Sequence, residues 1–176
     1  AKPRYRTLSN YKAGQAQTLV QSARYNGTNT MTQTQMVNDF AQPVSVTDFD
    51  GNTTVYSYDA LSRLKTIDPA NSFWLDTLHT WSEVGNQPQL VKSQCTLNAT
   101  KEACVSGTLR HTQTLTFDSK LRAVKVVNKD HLLDISVFEK FNYNDAGRVT
   151  FAAYAADDDS QTDGISSSYD GLQRIH

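Results

Sequence analysis

Along most of the chain, apolar and polar residues alternate one by one. In Thr112-Gln113-Thr114-Leu115-Thr116-Phe117, three threonines fall on one side while Gln113, Leu115 and Phe117 fall on the other. Tyr56 and Tyr58 share a side opposite Val55 and Ser57; Phe141 and Tyr143 share a side opposite Asn142; Val149, Phe151 and Ala153 continue the period. A period of two puts successive side chains on opposite faces of a strand. The residues involved, Thr, Val, Tyr and Phe, suit a pleated and half-buried surface. Helical spacing is not sustained anywhere, so the pattern predicts short strands joined by tight turns.

The strands come in repeats. Tyr58-Asp59-Ala60-Leu61-Ser62-Arg63-Leu64 has the same frame as Tyr143-Asn144-Asp145-Ala146-Gly147-Arg148-Val149 and Tyr169-Asp170-Gly171-Leu172-Gln173-Arg174-Ile175. Each has an aromatic residue, an acid or amide, and an arginine five residues after the aromatic. Phe117-Asp118-Ser119-Lys120-Leu121-Arg122 keeps the arginine, Trp81-Ser82-Glu83-Val84-Gly85-Asn86 keeps the glycine, and Val37-Asn38-Asp39-Phe40-Ala41-Gln42 keeps the Asn-Asp pair. Tyr11-Lys12-Ala13-Gly14-Gln15 is one residue short. With anchors at 11, 37, 58, 81, 117, 143 and 169, the intervals run from 21 to 26 residues, except for one of 36. That longest interval holds an insertion at about 93–108. Residues 1–176 are expected to be a single array of about seven strand–turn–strand units, all-β, in an antiparallel sheet of consecutive hairpins.

Turn chemistry accounts for the motif. An Asp or Asn at the end of a strand can bond its own backbone two residues on. A glycine four residues after the aromatic, as at Gly147, supplies a positive φ. The arginine that follows is expected to reach an acidic group on a neighbouring hairpin. Asp50-Gly51 is expected to be a second turn type joining one repeat to the next. The motif residues Tyr58, Asp59, Arg63, Phe117, Asp118, Arg122, Tyr143, Asp145, Gly147, Arg148, Tyr169, Asp170 and Arg174 are therefore assigned to structure.

These Tyr-Asp units resemble the YD/Rhs-repeat family, which includes Rhs and wall-associated proteins, shell components of Tc toxins and the teneurins. The resemblance runs from about Tyr11 to the C-terminus. It implies a long antiparallel sheet that spirals into a hollow β-shell, of which this chain would be a segment. It implies as partners the rest of that shell and an enclosed toxin or effector domain. It implies a secreted or cell-surface protein, and in some members carbohydrate binding or adhesion. The region that ends Rhs cores is only superficially similar to Asp68-Pro69-Ala70-Asn71, because its Gly-rich, aromatic surroundings are missing; self-cleavage is not expected.

Composition narrows the picture. Only 38% of the 176 residues are hydrophobic, too few for a thick dry core but enough for a broad sheet with a solvated face. Seven Phe, eight Tyr and two Trp argue against disorder. Net charge is −1 and the basic residues are dispersed, so nucleic acid is not an expected partner. No apolar run reaches the length of a membrane span. The start at Ala1 suggests a piece of something longer. A segment cut from an array would expose sheet edges, so self-association through them is expected.

Few residues suggest chemistry. Cys95 and Cys104 are either two free thiols or a local disulfide closing a ten-residue loop. Neither belongs to a zinc pattern. His79, His111, His131 and His176 sit in different repeats. Asp157, Asp159 and Asp163 lie in the one acidic cluster; they could ligate Ca²⁺, or simply form a solvated loop. Tyr56, Trp74 and Trp81 could stack on sugar rings, or pack against the sheet. Asn26, Asn52 and Asn98 fit the N-glycosylation acceptor pattern. No nucleophile elbow or Cys/His grouping is present, so neither an enzyme nor a cofactor is expected.

Overall fold

The computed structural model describes residues 5–22, 30–70, 73–172 and 174–175. Asn26, Asn71, Gln173 and His176, named above, lie outside the described residues. The fold is all-β, with thirteen strands and no helix among the described residues. The chain divides into two compact units, Ala1–Thr77 and Leu78–His176.

In the first unit β1 (Tyr5–Lys12), β2 (Gln15–Ser22), β3 (Thr30–Val37), β4 (Pro43–Thr47), β5 (Thr53–Tyr58) and β6 (Leu64–Pro69) are antiparallel and lie in sequence order. In the second, the order again follows the sequence: β7 (Asp76–Val84), which begins at the unit boundary, β8 (Gln87–Cys95), β9 (His111–Phe117), β10 (Ala123–Asp130), β11 (Ile135–Tyr143), β12 (Val149–Ala153) and β13 (Gly164–Ser166). Seven complete hairpins would need fourteen strands. The last return is a single bridge, Tyr169 with Ile175, rather than a strand.

No thick core forms. Among the described residues the buried apolar side chains are Val37, Leu78, Leu90, Cys95 and Leu97, and every residue of β9 and β10 is half-buried. Cross-strand rows take the place of a core. Val91, Thr114, Val127 and Phe138 lie opposite one another across four strands, and Leu90, Leu115 and Val126 form a parallel row one residue away. On the other unit, Thr47 and Thr53 share a hydroxyl bond of 2.8 Å, and Ser57 and Thr66 one of 2.5 Å. Pairs of this kind each add about 0.2–1 kcal/mol relative to alanines.

The buried cluster found among the described residues lies beside the insertion. Strand β8 continues through Cys95, so the loop runs over 96–110 and starts slightly later than the sequence pattern suggested. A disulfide joins Cys95 to Cys104 with Cα atoms 5.6 Å apart. Leu78, Cys95 and Leu97 are buried there, with Leu109 and Cys104 packed against them. Leu97 bridges Cys104 across the base of the loop.

Gly164 opens β13 where β12 comes closest. A Cβ there would lie 2.3 Å from the Ala152 carbonyl oxygen and 2.7 Å from Ala153 Cα. Both are backbone atoms of a paired strand, which cannot move away without breaking the ladder. Gly164→Ala is expected to lower stability by about 1–3 kcal/mol in urea unfolding. Replacing both Cys95 and Cys104 by alanine is expected to cost about 2–3 kcal/mol by the same measurement, the loop-closure value for a loop of this size.

Candidate functional site along the turn rim

All the sequence repeats turn at the same rim of their unit. Two of the turns are minimal. Ala13-Gly14 (φ 47° and 76°) joins β1 to β2, and Gly85-Asn86 (φ 58° and 61°) joins β7 to β8. Two consecutive positive φ values make a two-residue type I′ hairpin, which needs no capping side chain. The repeat anchored on Trp81 was therefore framed wrongly by the sequence: its Gly-Asn pair is the whole turn, and Trp81 lies within β7, stacked on Phe117 at 5.8 Å between ring centroids.

The other five repeat turns, two in the first unit and three in the second, share one geometry, built on Asn38, Asp59, Asp118, Asn144 and Asp170. In each, the backbone N–H of the Asx residue donates to the carbonyl four residues on, at 2.9 Å. At Asn38, Asp59, Asp118 and Asn144 the N–H three residues on donates back to the Asx carbonyl. The Oδ1 atom accepts the N–H four residues on at 2.9–3.0 Å, and in the Asn38, Asp59, Asp118 and Asp170 turns the N–H two residues on is also placed on it. This is a type I turn followed by a left-handed residue and a bulge. The ladder shifts register beside the turn at Met36/Val37, Ser57/Tyr58, Ala123/Lys125 and Asn142/Tyr143.

Two sequence expectations change here. The left-handed position does not require glycine: Ala41, Ser62 and Leu121 occupy it with φ of 59–61°, alongside Gly147 at 81°. The turn at Asp48, between β4 and β5 at the opposite end, is not a second type. Asp48 Oδ1 accepts the N–H groups of Asp50 and Asn52 at 2.9 Å, and Gly51 takes the left-handed place at φ 86°. In the repeat at 143 the capping residue is Asn144; Asp145 sits at the tip, where its carbonyl accepts Lys120 Nζ at 3.4 Å.

Three arginines bond the acid of their own turn, where the sequence pointed to an acid on a neighbouring hairpin. Arg63 Nε donates to Asp59 Oδ2, Arg122 to Asp118 and Arg174 to Asp170, each at 2.7 Å within its own turn. Asn38 and Gln42 imitate the pair with an amide–amide bond of 2.9 Å. The Arg122–Asp118 pair is the most sheltered, at 24% and 20% side-chain exposure, against 73% for Arg174.

What reaches the neighbouring hairpin is the tyrosine. Tyr58 Oη donates to the Pro43 carbonyl at 2.8 Å, Tyr143 Oη to Ala123 at 2.7 Å and Tyr169 Oη to Val149 at 2.8 Å. All three acceptors sit five residues after the Asx of the preceding repeat. The preceding turn reciprocates. The Arg122 guanidinium lies 4.6 Å from the Tyr143 ring centroid and that of Arg148 lies 5.6 Å from Tyr169, both within cation–π range. Arg122 also donates to the Asn144 carbonyl at 3.1 Å, and Gln42 donates to Ser62 O at 2.8 Å. The Asn38 turn is thus tied to the Asp59 turn, the Asp118 turn to the Asn144 turn, and the Asn144 turn to the Asp170 turn.

The remaining candidates do not converge. His111 lies opposite Asp130, and His131 Nε2 is 3.0 Å from Thr112 Oγ1, but no group of three His, Cys, Asp or Glu side chains is set for a metal ion among the described residues. Of the acidic cluster, Asp159 faces Lys125 at 2.6 Å and Lys140 at 3.3 Å, and Asp158 bonds Ser160. Tyr56 is half-buried opposite Ile67, whereas Trp74 is 68% exposed next to Phe73 at 93%. Asn52 Nδ2 donates to the Asp48 carboxylate and Asn98 Oδ1 caps a turn inside the disulfide loop. No helix of the described residues is long and apolar enough to cross a membrane, which leaves β-barrels unaddressed.

No family model matches the chain, and no curated protein sequence matches it. Among solved structures it is similar to a chain of a Photorhabdus luminescens Tc holotoxin pore, at 14% identity and a TM-score of 0.52. The match covers 93% of this chain and 8% of that one. At this identity the likeness is one of fold.

Two outcomes follow from the turn geometry. Tyr143→Phe deletes the hydroxyl and leaves the Ala123 carbonyl without that donor; a loss of about 1 kcal/mol is expected in urea unfolding. The carboxyls of Asp59 and Asp170 are held below their ordinary 3.8 chiefly by the backbone N–H of the arginine four residues on, and that of Asp118 chiefly by the Arg122 side chain. A folded pKa below the unfolded one adds stability above the unfolded value. That stability is lost as pH falls through the folded values. Acid titration of the folded chain should therefore keep the midpoint level down to about pH 4 and lower it below 3.8, with the Asp59, Asp118 and Asp170 carboxyl resonances titrating below free aspartate.

Proposed function

We propose that the chain is a length of wall: a structural segment of a YD/Rhs-type β-shell that encloses or displays a toxin or effector domain. The observation that carries the reading is the rim of coupled turns. Its recurring chemistry ties hairpin to hairpin, and no group of three His, Cys, Asp or Glu side chains is set for a metal ion among the described residues. The fold likeness to a chain of a Tc holotoxin pore supports it, as does the small share of that chain which is covered. The partners in this reading are further repeats and the enclosed domain. A secreted or cell-surface setting is supported by the Cys95–Cys104 disulfide, since such bonds persist in oxidising compartments. The reading is not that of an enzyme.

A second reading, a carbohydrate-binding or adhesion module, is favoured by one observation: Phe73 and Trp74 stand exposed side by side. Aromatic faces in that position can stack on sugar rings, while Trp81 is already stacked on Phe117.

An antibody against residues 1–176 should recover the natural polypeptide from its source. Trypsin treatment of the native material is expected to leave a large resistant assembly containing this segment together with a second, protected segment, and that second segment should become digestible once denaturant opens the assembly. Recovery of a small free product that binds glycans, with binding abolished by Trp74→Ala, would instead establish the second reading.

A further inference from the structure

The acidic cluster that resembles a cation site has a different partner in the fold. Strand β11 is nine residues long, but β12 pairs only with its last three, Phe141, Asn142 and Tyr143. The earlier part of β11 would otherwise present an open edge, a template for another strand. Residues 154–163 fold back along it. Phe138 N–H donates to the Ala156 carbonyl at 2.7 Å, and Ala156 N–H donates to Phe138 O at 3.2 Å. The base of this strap is closed by Tyr154 N–H on the Asp163 carbonyl at 2.9 Å.

A charge contact fixes the strap. Lys125 and Lys140 lie directly opposite each other on one face of β10 and β11, a like-charge pair that is unfavourable by itself. The Asp159 carboxylate sits between them, at 2.6 Å from Lys125 Nζ and 3.3 Å from Lys140 Nζ; Lys140 also donates to the Asp159 carbonyl. The three side chains are 32–51% exposed, so the contact is open to salt.

We infer that residues 154–163 are a removable guard on the edge of β11, latched by Asp159 between Lys125 and Lys140, and that the guarded edge accepts β11 of a second copy of this chain. The sequence of β11 suits that occupant. Antiparallel self-pairing centred on Phe138 sets Phe138 against its own copy, Lys140 against Ser136 and Glu139 against Val137. No like charges are opposed, and an aromatic pair forms at the centre.

The test uses the whole chain with Asp159→Asn, with Asp159→Glu as the charge-preserving control. Amide exchange is read at Phe138 and Ala156 against Leu115, and sedimentation velocity is run over a concentration series. In Asp159→Asn, exchange at Phe138 and Ala156 should rise at least tenfold with Leu115 unchanged. A concentration-dependent dimer should appear that Asp159→Glu and the unaltered chain do not form. Unchanged exchange would overturn the latch, and faster exchange without added association would overturn the docking edge. If Asp159→Asn fails to fold, the unaltered chain in 1 M salt against 50 mM salt decides: selective acceleration at Phe138 and Ala156 supports the latch, and none overturns it.

Discussion

The constraint that recurs in both units is reversing a strand within five residues without stranding its backbone donors. A type I turn leaves N–H groups at its tip and on its return that no strand can reach, and one carboxylate or amide oxygen placed at the turn's first residue takes them up. That oxygen also explains why Ala41, Ser62 and Leu121 tolerate left-handed backbone. The conformation costs an L-residue roughly 1–2 kcal/mol, and two hydrogen bonds to a charged or amide acceptor offset it. Once the Asx is fixed, the residue before it ends a strand beside the preceding hairpin, and the residue four places after it starts the return. The aromatic and the arginine take those places, which is why the coupling between hairpins recurs at the same offsets.

The strands and their hairpin order were legible in the sequence because period-two alternation and the Asx-x-x-x-Arg frame are local. The partners of Tyr58, Tyr143 and Tyr169 were not visible: the Pro43, Ala123 and Val149 carbonyls belong to the preceding hairpin, and main-chain acceptors leave no trace in a sequence. Arginine direction was misjudged for a related reason. A planar guanidinium can serve an acid nearby or across the sheet, and the bulge after the turn brings Arg63 and Arg122 back onto Asp59 and Asp118. The Trp81 frame failed because Gly85-Asn86 is sufficient for a turn alone. The contact of Asp159 was not visible either: its carboxylate bonds Lys125, 34 residues earlier.

A sheet made this way gains little from any one contact. Hydroxyl–carbonyl bonds, exposed ion pairs and cation–π contacts are each worth on the order of 1 kcal/mol or less. Their value lies in order: the same ties recur between the Asn38 and Asp59 turns and from the Asp118 turn through Asn144 to Asp170. That is the energetic form of a repeat protein, whose stability is approximately a sum of unit and nearest-neighbour terms. Half-buried rows such as Val91, Thr114, Val127 and Phe138 fit a broad sheet better than a globule built round one core.

The central claim is that consecutive turns are energetically coupled through the arginine of one and the tyrosine of the next. A double-mutant cycle on Arg122→Ala and Tyr143→Leu, read by urea unfolding, measures that coupling directly. The account predicts an interaction energy of about 0.5–1 kcal/mol or more for this pair, and additivity within about 0.5 kcal/mol for Arg122→Ala with Tyr169→Leu, one repeat further on. Additive losses for Arg122 and Tyr143 would contradict it.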